Sequence, residues 1–245
     1  MKSVLITGAN KGIGFETARQ LLQNDFYVYL GSRDLQKGIE AAGKLKTEGL
    51  SQVEAVQLDV TNEDSVKHAR QQIGRKTQVL DVLVNNAGVN GGMPYTALEA
   101  TTDQLMITFD TNLFGVARVT QAFIDLLRKA PQPRIVNVST SVGSLSLQSD
   151  TTWSAYDYAK YAVYGSSKAA MNMYTIHLAY ELRDTAFKIN AVCPGYTKTD
   201  FTNQNGGDIE AAAKRVVKYA LIDQNGPTGK FFSEESNPLT GEIPW

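Results

Sequence analysis

The stretch from Tyr156 to Lys168, YDYAKYAVYGSSK, contains Tyr-x-x-x-Lys twice, as Tyr156 with Lys160 and as Tyr164 with Lys168. Residues four apart on a helix share one face, and a lysine beside a phenol can tune it for moving protons. Read as one helix, positions 156, 160, 164 and 168 fall on a single ridge, so geometry alone does not choose between the pairs. Near the other end of the chain, Thr7-Gly8-Ala9-Asn10-Lys11-Gly12-Ile13-Gly14 places three glycines in eight residues. Glycines there let backbone N–H groups and a helix N-terminus approach a pyrophosphate with no Cβ in the way. A glycine turn of purely structural use is the alternative, and its position between a first strand and a first helix favours the phosphate.

Those residues need a scaffold, and the rest of the chain reads as one. Strand-like runs at Ser3–Thr7, Phe26–Gly31, Val53–Leu58, Val82–Val84, Arg134–Ser139, Lys188–Val192 and Gly229–Ser233 alternate with stretches of helical period. The helical stretches are Ile13–Gln23, Leu35–Glu48, Glu63–Ile73, Thr102–Lys129, Tyr156–Arg183 and Asp208–Ile222. That alternation predicts an α/β fold, a Rossmann-type doubly wound parallel sheet in a single domain, 1–245, with ligands outside the carboxyl ends of the strands. Hydrophobic residues make up 42 % of the 245, enough for a core in water, and no apolar run approaches the length of a membrane span. A formal charge of −1 gives nucleic acid no electrostatic reason to bind. The single cysteine, Cys193, excludes an internal disulfide and fits a reducing, cytoplasmic setting, and the N-terminus carries no signal-peptide pattern. His68 and His177 have no partner at ligand spacing, so no metal is expected.

The glycine spacing is G-x-x-x-G-x-G, not the general dinucleotide G-x-G-x-x-G. It is followed in order by Asn85-Asn86-Ala87-Gly88 after the fourth strand, Asn112 with Gly115, a Ser/Thr cluster after the fifth strand, Tyr-x-x-x-Lys, and Pro194-Gly195 after the sixth. In this the chain resembles the short-chain dehydrogenase/reductase family over essentially its whole length. It is most similar to the carbonyl reductase-like branch through TGANKGIG, GSRD, CPGYTKTDF and TGKFFSE.

The resemblance implies that the tyrosine gives a proton to a carbonyl oxygen as a nicotinamide delivers hydride to the carbon. The lysine then holds the nicotinamide ribose and lowers the phenol's pKa. Gly165, Ser166, Ser167, Ala169 and Ala170 leave room for a ribose beside Lys168, whereas Lys160 is flanked by Asp157, Tyr158 and Tyr161. Lys168 also leaves 26 residues to Pro194, similar to the family. Tyr164 with Lys168 is therefore the expected pair, and Leu145 to Tyr161 an insertion. Tyr156, Tyr158, Tyr161 and Trp153 either line the substrate site or pack under a loop. Matching Asn-x-Ser-Ser to Asn137-Val138-Ser139-Thr140 puts the carbonyl-binding hydroxyl on Thr140, with Ser141 the alternative, and Asn112 matches the residue that holds the lysine through a water.

Two rules disagree over the cofactor. Asp34 lies 20 residues past Gly14, where a general fingerprint puts an acid on a ribose 2′-hydroxyl. The second strand ends earlier, at Gly31-Ser32, which leaves Asp34 to cap the next helix, and Lys11, Arg33 and Ser32 to meet a 2′-phosphate. NADP(H) is the expected cofactor. By resemblance, Asp59 and Val60 flank the adenine, Asn86, Ala87 and Gly88 the ribose, and Pro194, Gly195, Thr197 and Thr199 the nicotinamide amide. The region around 142–161 and the polar 196–207 read as substrate loop and lid. The resulting expectation is an NADPH-dependent reductase of an apolar small-molecule ketone or aldehyde, reversible as an alcohol dehydrogenase, working as a monomer or small homo-oligomer. Reduction of a C=C or imine bond, or a non-catalytic NADP(H) sensor, are the rival readings.

Overall fold

The computed structural model describes residues 1–245. Seven strands, β1 (Ser3–Ile6), β2 (Tyr27–Ser32), β3 (Val53–Gln57), β4 (Val82–Asn85), β5 (Arg134–Val138), β6 (Lys188–Val192) and β7 (Lys230–Phe232), form one sheet in the order β3-β2-β1-β4-β5-β6-β7. All six pairings are parallel, as crossover helices require. The helices are α1 (Gly12–Gln23), α2 (Leu35–Thr47), α3 (Glu63–Lys76), α4 (Thr102–Phe109), α5 (Gly115–Leu127), α6 (Leu145–Ser149), α7 (Ala162–Glu181) and α8 (Ile209–Ala220).

Strand period 2 divides the core between the faces. Val4, Ile6, Val82, Val84 and Val136 join one cluster with the buried stripes of α1, α2 and α8. Leu5, Leu83, Ile135 and Ile189 join the other with α3, α5 and the end of α7. The strand order reverses between β1 and β4, and the loops leaving those two strands meet there: a Cβ on Gly8 would lie 3.0 Å from Ala87 Cα. That switch point is where such sheets bind ligands.

Two helices differ from the periodic reading. The stretch expected as one helix over Thr102–Lys129 is broken by a π-helical turn at Asp110–Phe114, which widens the ring of backbone bonds by one residue and turns Asn112 fully inward. The helix expected from Tyr156 starts only at Ala162. Lys160 is drawn instead to Gln148, donating to its backbone oxygen at 2.8 Å and its side-chain oxygen at 3.0 Å, while Gln148 Nε2 donates to Ala159 O. These bonds close the insertion into a compact loop before α7 begins. The insertion also carries the short helix α6, which the periodic reading passed over.

Candidate active site

The glycine turn, the Asn-Ala-Gly loop, the Ser/Thr cluster and Pro194-Gly195 each follow the carboxyl end of a strand, so the sheet gathers them along one edge. After β1, Gly8 and Gly12 adopt φ of 62° and 60°, a left-handed backbone that glycine adopts without strain. Side chains cap the N-termini of α2, α3, α4 and α8, whereas none caps α1. The first amides of α1 are thus left to an anion. Gly14 has no such freedom, because a Cβ there would meet Gly8 O at 2.8 Å and press on Asn86 Nδ2. Gly14→Ala is expected to cost about 1–3 kcal/mol, seen as a lower denaturant midpoint.

The loop after β4 is fastened to the glycine turn. Thr7 Oγ1 accepts from the amides of Asn86 and Ala87, and Asn86 Nδ2 donates to the carbonyls of Thr7 and Gly8. The side chain of Asn86, the residue expected beside a ribose, holds the two loops together. Asp59 Oδ1 accepts from Thr61 N and Oγ1, and Val60 packs against Gly115, where a Cβ would come within 2.7 Å.

At the end of β2 the structure separates the candidates. Asp34 caps α2 by accepting from Lys37 N at 3.2 Å. Ser32 Oγ donates to Asp34 O at 2.7 Å, so its proton is not free for a phosphate as expected. Arg33 is exposed and has no salt bridge. Lys11, the other cation, is paired with Asp200 at 2.8 Å.

The two Tyr-Lys pairs differ completely. Tyr156 lies in a turn outside α7, and Lys160 Nζ stands 3.7 Å over its ring. Tyr164 and Lys168 lie on successive turns of α7, with Lys168 buried. Small residues make this ridge accessible to the turn after β5: a Cβ on Gly143 would lie 2.9 Å from Lys168 Cβ, and one on Gly165 would lie 3.2 Å from Val142 O. Burial pushes the Tyr164 phenol above its ordinary value, with Cys193 adding in the same direction. Burial also pushes the Lys168 ammonium down to about 8. Lys168 Nζ donates to Val138 O at 2.7 Å. The lowering of the phenol by this lysine, implied by resemblance, is therefore not seen in this geometry.

Asn112 sits beside the pair. A point one Cβ out from Gly88 is 3.2 Å from Asn112 Oδ1 and 3.7 Å from Lys168 Nζ, so the two side chains converge there. Asn112 Oδ1 accepts from Val89 N, and its Nδ2 donates to Val89 O and Ser167 Oγ. In the β5 turn, Thr140 Oγ1 accepts from Val142 N at 3.3 Å, while Ser139 is taken by Asn172.

Asn172 braces the turn after β5, a positioning contact that motif reading missed. It accepts from Ser139 Oγ at 2.7 Å and donates to Gly143 O at 3.1 Å, gripping both ends of the turn that carries Thr140 and Ser141. Its place four residues past Lys168, on the same ridge, was the available signal. After β6, Arg215 donates to Pro194 O, Gly195 has φ of 91°, and Thr197 Oγ1 donates to Gly195 O. Thr199 then faces Gly12, its methyl 3.7 Å from where a Cβ would stand, and the Phe201 ring lies 5.5 Å from that of Tyr164. The turn at 199–201 thus touches both the glycine loop and the candidate acid, a contact no local pattern announces.

The glycine turn and the Tyr164–Lys168 ridge thus lie along one edge of the sheet, with chemistry that suits a phosphate at one end and proton transfer at the other. The family model described as short chain dehydrogenase matches residues 2–210. The chain is 35 % identical to (-)-isopiperitenone reductase of Mentha piperita, across 94 % of this chain and 96 % of that one. It is similar to the structure of salutaridine reductase from Papaver somniferum, with 32 % identity, TM-score 0.83, and 95 % and 100 % of the two chains covered. It is also similar to an NADPH-bound carbonyl reductase from chicken fatty liver, with 26 % identity, TM-score 0.85, and 100 % and 99 % covered. The class is that of oxidoreductases, and the chicken structure is described as NADPH bound. No helix is long and apolar enough to cross a membrane.

Proposed function

We propose that this chain, which belongs to the short-chain dehydrogenase family, is an NADPH-dependent carbonyl reductase that converts an apolar ketone or aldehyde to the alcohol. Bound NADPH supplies the hydride. The uncapped N-terminus of α1 and the glycines Gly8, Gly12 and Gly14 fit its pyrophosphate, with Asn10 and Ile13 in the same turn, and Lys11 and Arg33 are the cations for its 2′-phosphate. Asp59, Val60, Ala87, Gly88, Pro194, Gly195, Thr197 and Thr199 complete the cofactor cleft.

Tyr164 holds the proton that ends on the carbonyl oxygen. Its burial keeps the phenol protonated at neutral pH, the state a general acid must start from. Thr140 holds the substrate oxygen, since its hydroxyl accepts one bond and its own proton has no acceptor among its hydrogen bonds. Lys168 and Asn112 supply the charge and the polar path behind the phenol. The observation that carries the reading is the Tyr164–Lys168 ridge, its lysine buried against Gly143 and converging with Asn112 near Gly88. The ring of Phe201 beside Tyr164 supports an apolar substrate face, and the segments 142–161 and 196–207 are its walls.

The test is NADPH consumption against aromatic, aliphatic, terpenoid and quinone carbonyls, with NADPH binding measured in parallel. Turnover of at least one apolar carbonyl, with the alcohol as product, is expected. Tight NADPH binding with no carbonyl reduced anywhere on the panel would contradict it and favour a sensor.

A further inference from the structure

Lys11 is claimed twice: by the cofactor's 2′-phosphate, on the reading above, and by Asp200 in the structure itself. We infer that Asp200 is a specificity-determining residue that competes with the 2′-phosphate for Lys11, weakening the hold on NADPH and NADP+ but not on NADH. The inference rests on Lys11 being one of the two phosphate cations.

The geometry favours such a competition. Lys11 is the residue immediately before α1, and Asp200 arrives from 189 positions further on, in the turn that lies across the glycine loop. Bonds within that turn shape it independently of Lys11. Gln204 Nε2 donates to Asp200 Oδ1 at 2.8 Å, Thr202 Oγ1 donates to Thr197 O at 2.6 Å, and Lys198 N donates to Gly207 O at 3.0 Å. The carboxylate is thus oriented within its turn, while the lysine is a flexible arm. Arg33 has no acidic partner, so the competition falls on one of the two cations only. The pair also holds the Asp200 carboxyl below its ordinary value.

A phosphate monoester carries about −1.5 to −2 charges at neutral pH and offers three acceptor oxygens, so it takes Lys11 from a single carboxylate. Asp200 is then left facing a like charge, which costs binding and speeds departure. When NADP+ leaves, the pair re-forms, so the lysine is never unmatched. NADH brings no phosphate and leaves the pair as it is. Both side chains are mostly exposed, at 66 % and 61 %, which sets the scale of the effect at a few-fold.

Asp200→Asn keeps the shape and the oxygen that accepts from Gln204 while removing the charge. Dissociation constants for NADPH, NADP+ and NADH, measured by fluorescence or calorimetry on the intact chain, would be compared among wild type, Asp200→Asn, Lys11→Met and the double variant. The expected result is NADPH and NADP+ bound about three- to fivefold more tightly by Asp200→Asn, on the scale of exposed ion pairs. NADH should be unchanged within about 1.5-fold, and the gain should disappear in the Lys11→Met background. An equal gain for NADH, a gain that survives Lys11→Met, or no gain would overturn it. Lys11→Met alone reports on the underlying reading: if it binds NADPH as wild type does, Lys11 does not meet the phosphate at all.

Discussion

Tyr164→Phe is expected to lower kcat/KM for a reducible carbonyl by about 10³-fold or more, near the upper end of what a positioned general acid supplies. NADPH affinity should stay within about twofold, because cofactor binding does not use the phenol proton. The substitution removes one oxygen and leaves the ring in its packing against Phe201, so a fall in turnover cannot be put down to a collapsed site. The matching change at the other tyrosine should do little. Tyr156 lies outside α7, its ring faced by Lys160 and not by a buried lysine on the same helix, so Tyr156→Phe is expected to keep turnover within about threefold of wild type. Loss in Tyr156→Phe with retention in Tyr164→Phe would exchange the roles of the two pairs. Steady-state kinetics with one substrate and both variants decides it.

Lys168→Met should have two large effects of opposite sign. Turnover should fall by about 10²-fold or more, since the charge behind the phenol is gone. Stability should rise. Lys168 is 4 % exposed and its ammonium is pushed down to about 8 by desolvation, against an ordinary lysine value of 10.5. A lysine whose folded value lies below its unfolded one binds its proton more readily in the unfolded chain. It therefore costs stability fully below about pH 8, and that cost fades as pH rises from about 8 towards 10.5. Part of the gain from removing it is lost with the bond to Val138 O, leaving about 2 kcal/mol at pH 7. For a chain of 245 residues that is about 4–8 °C in Tm, shrinking between pH 8 and 10.5. Thermal melts at pH 7 and pH 10 check both the sign and the window. A lower Tm at pH 7 would show that the ammonium is matched by more than a carbonyl.

Much of this was legible in the residues, for identifiable reasons. Each strand is a short β-branched or apolar run whose side chains must alternate between two covered faces, so β1 to β7 fall within about a residue of where the pattern puts them. Asp34 could be read as a cap because β2 ends before it, and it does cap α2. The start of α7 could not be read. Its tyrosine-lysine period of four runs back past Ala162 without a break, whereas the chain before Ala162 folds back so that Lys160 meets Gln148, twelve residues away. The π-helical turn at Asp110–Phe114 is equally silent, because one extra residue in a ring of backbone bonds leaves the apolar period on either side unchanged. Lys11 was legible as a cation in the glycine turn but not as the partner of Asp200, since only the folded chain brings those positions together.

Central to all of this is where the hydride goes while Tyr164 gives its proton. Reduction of an α,β-unsaturated ketone with NADPH deuterated at the transferred position, followed by locating the label in the product, tests that most directly. Deuterium on the carbon that bears the new hydroxyl group is the expected result. Deuterium on the β-carbon of a saturated ketone would contradict it, and would make the chain a reducer of C=C bonds on the same scaffold.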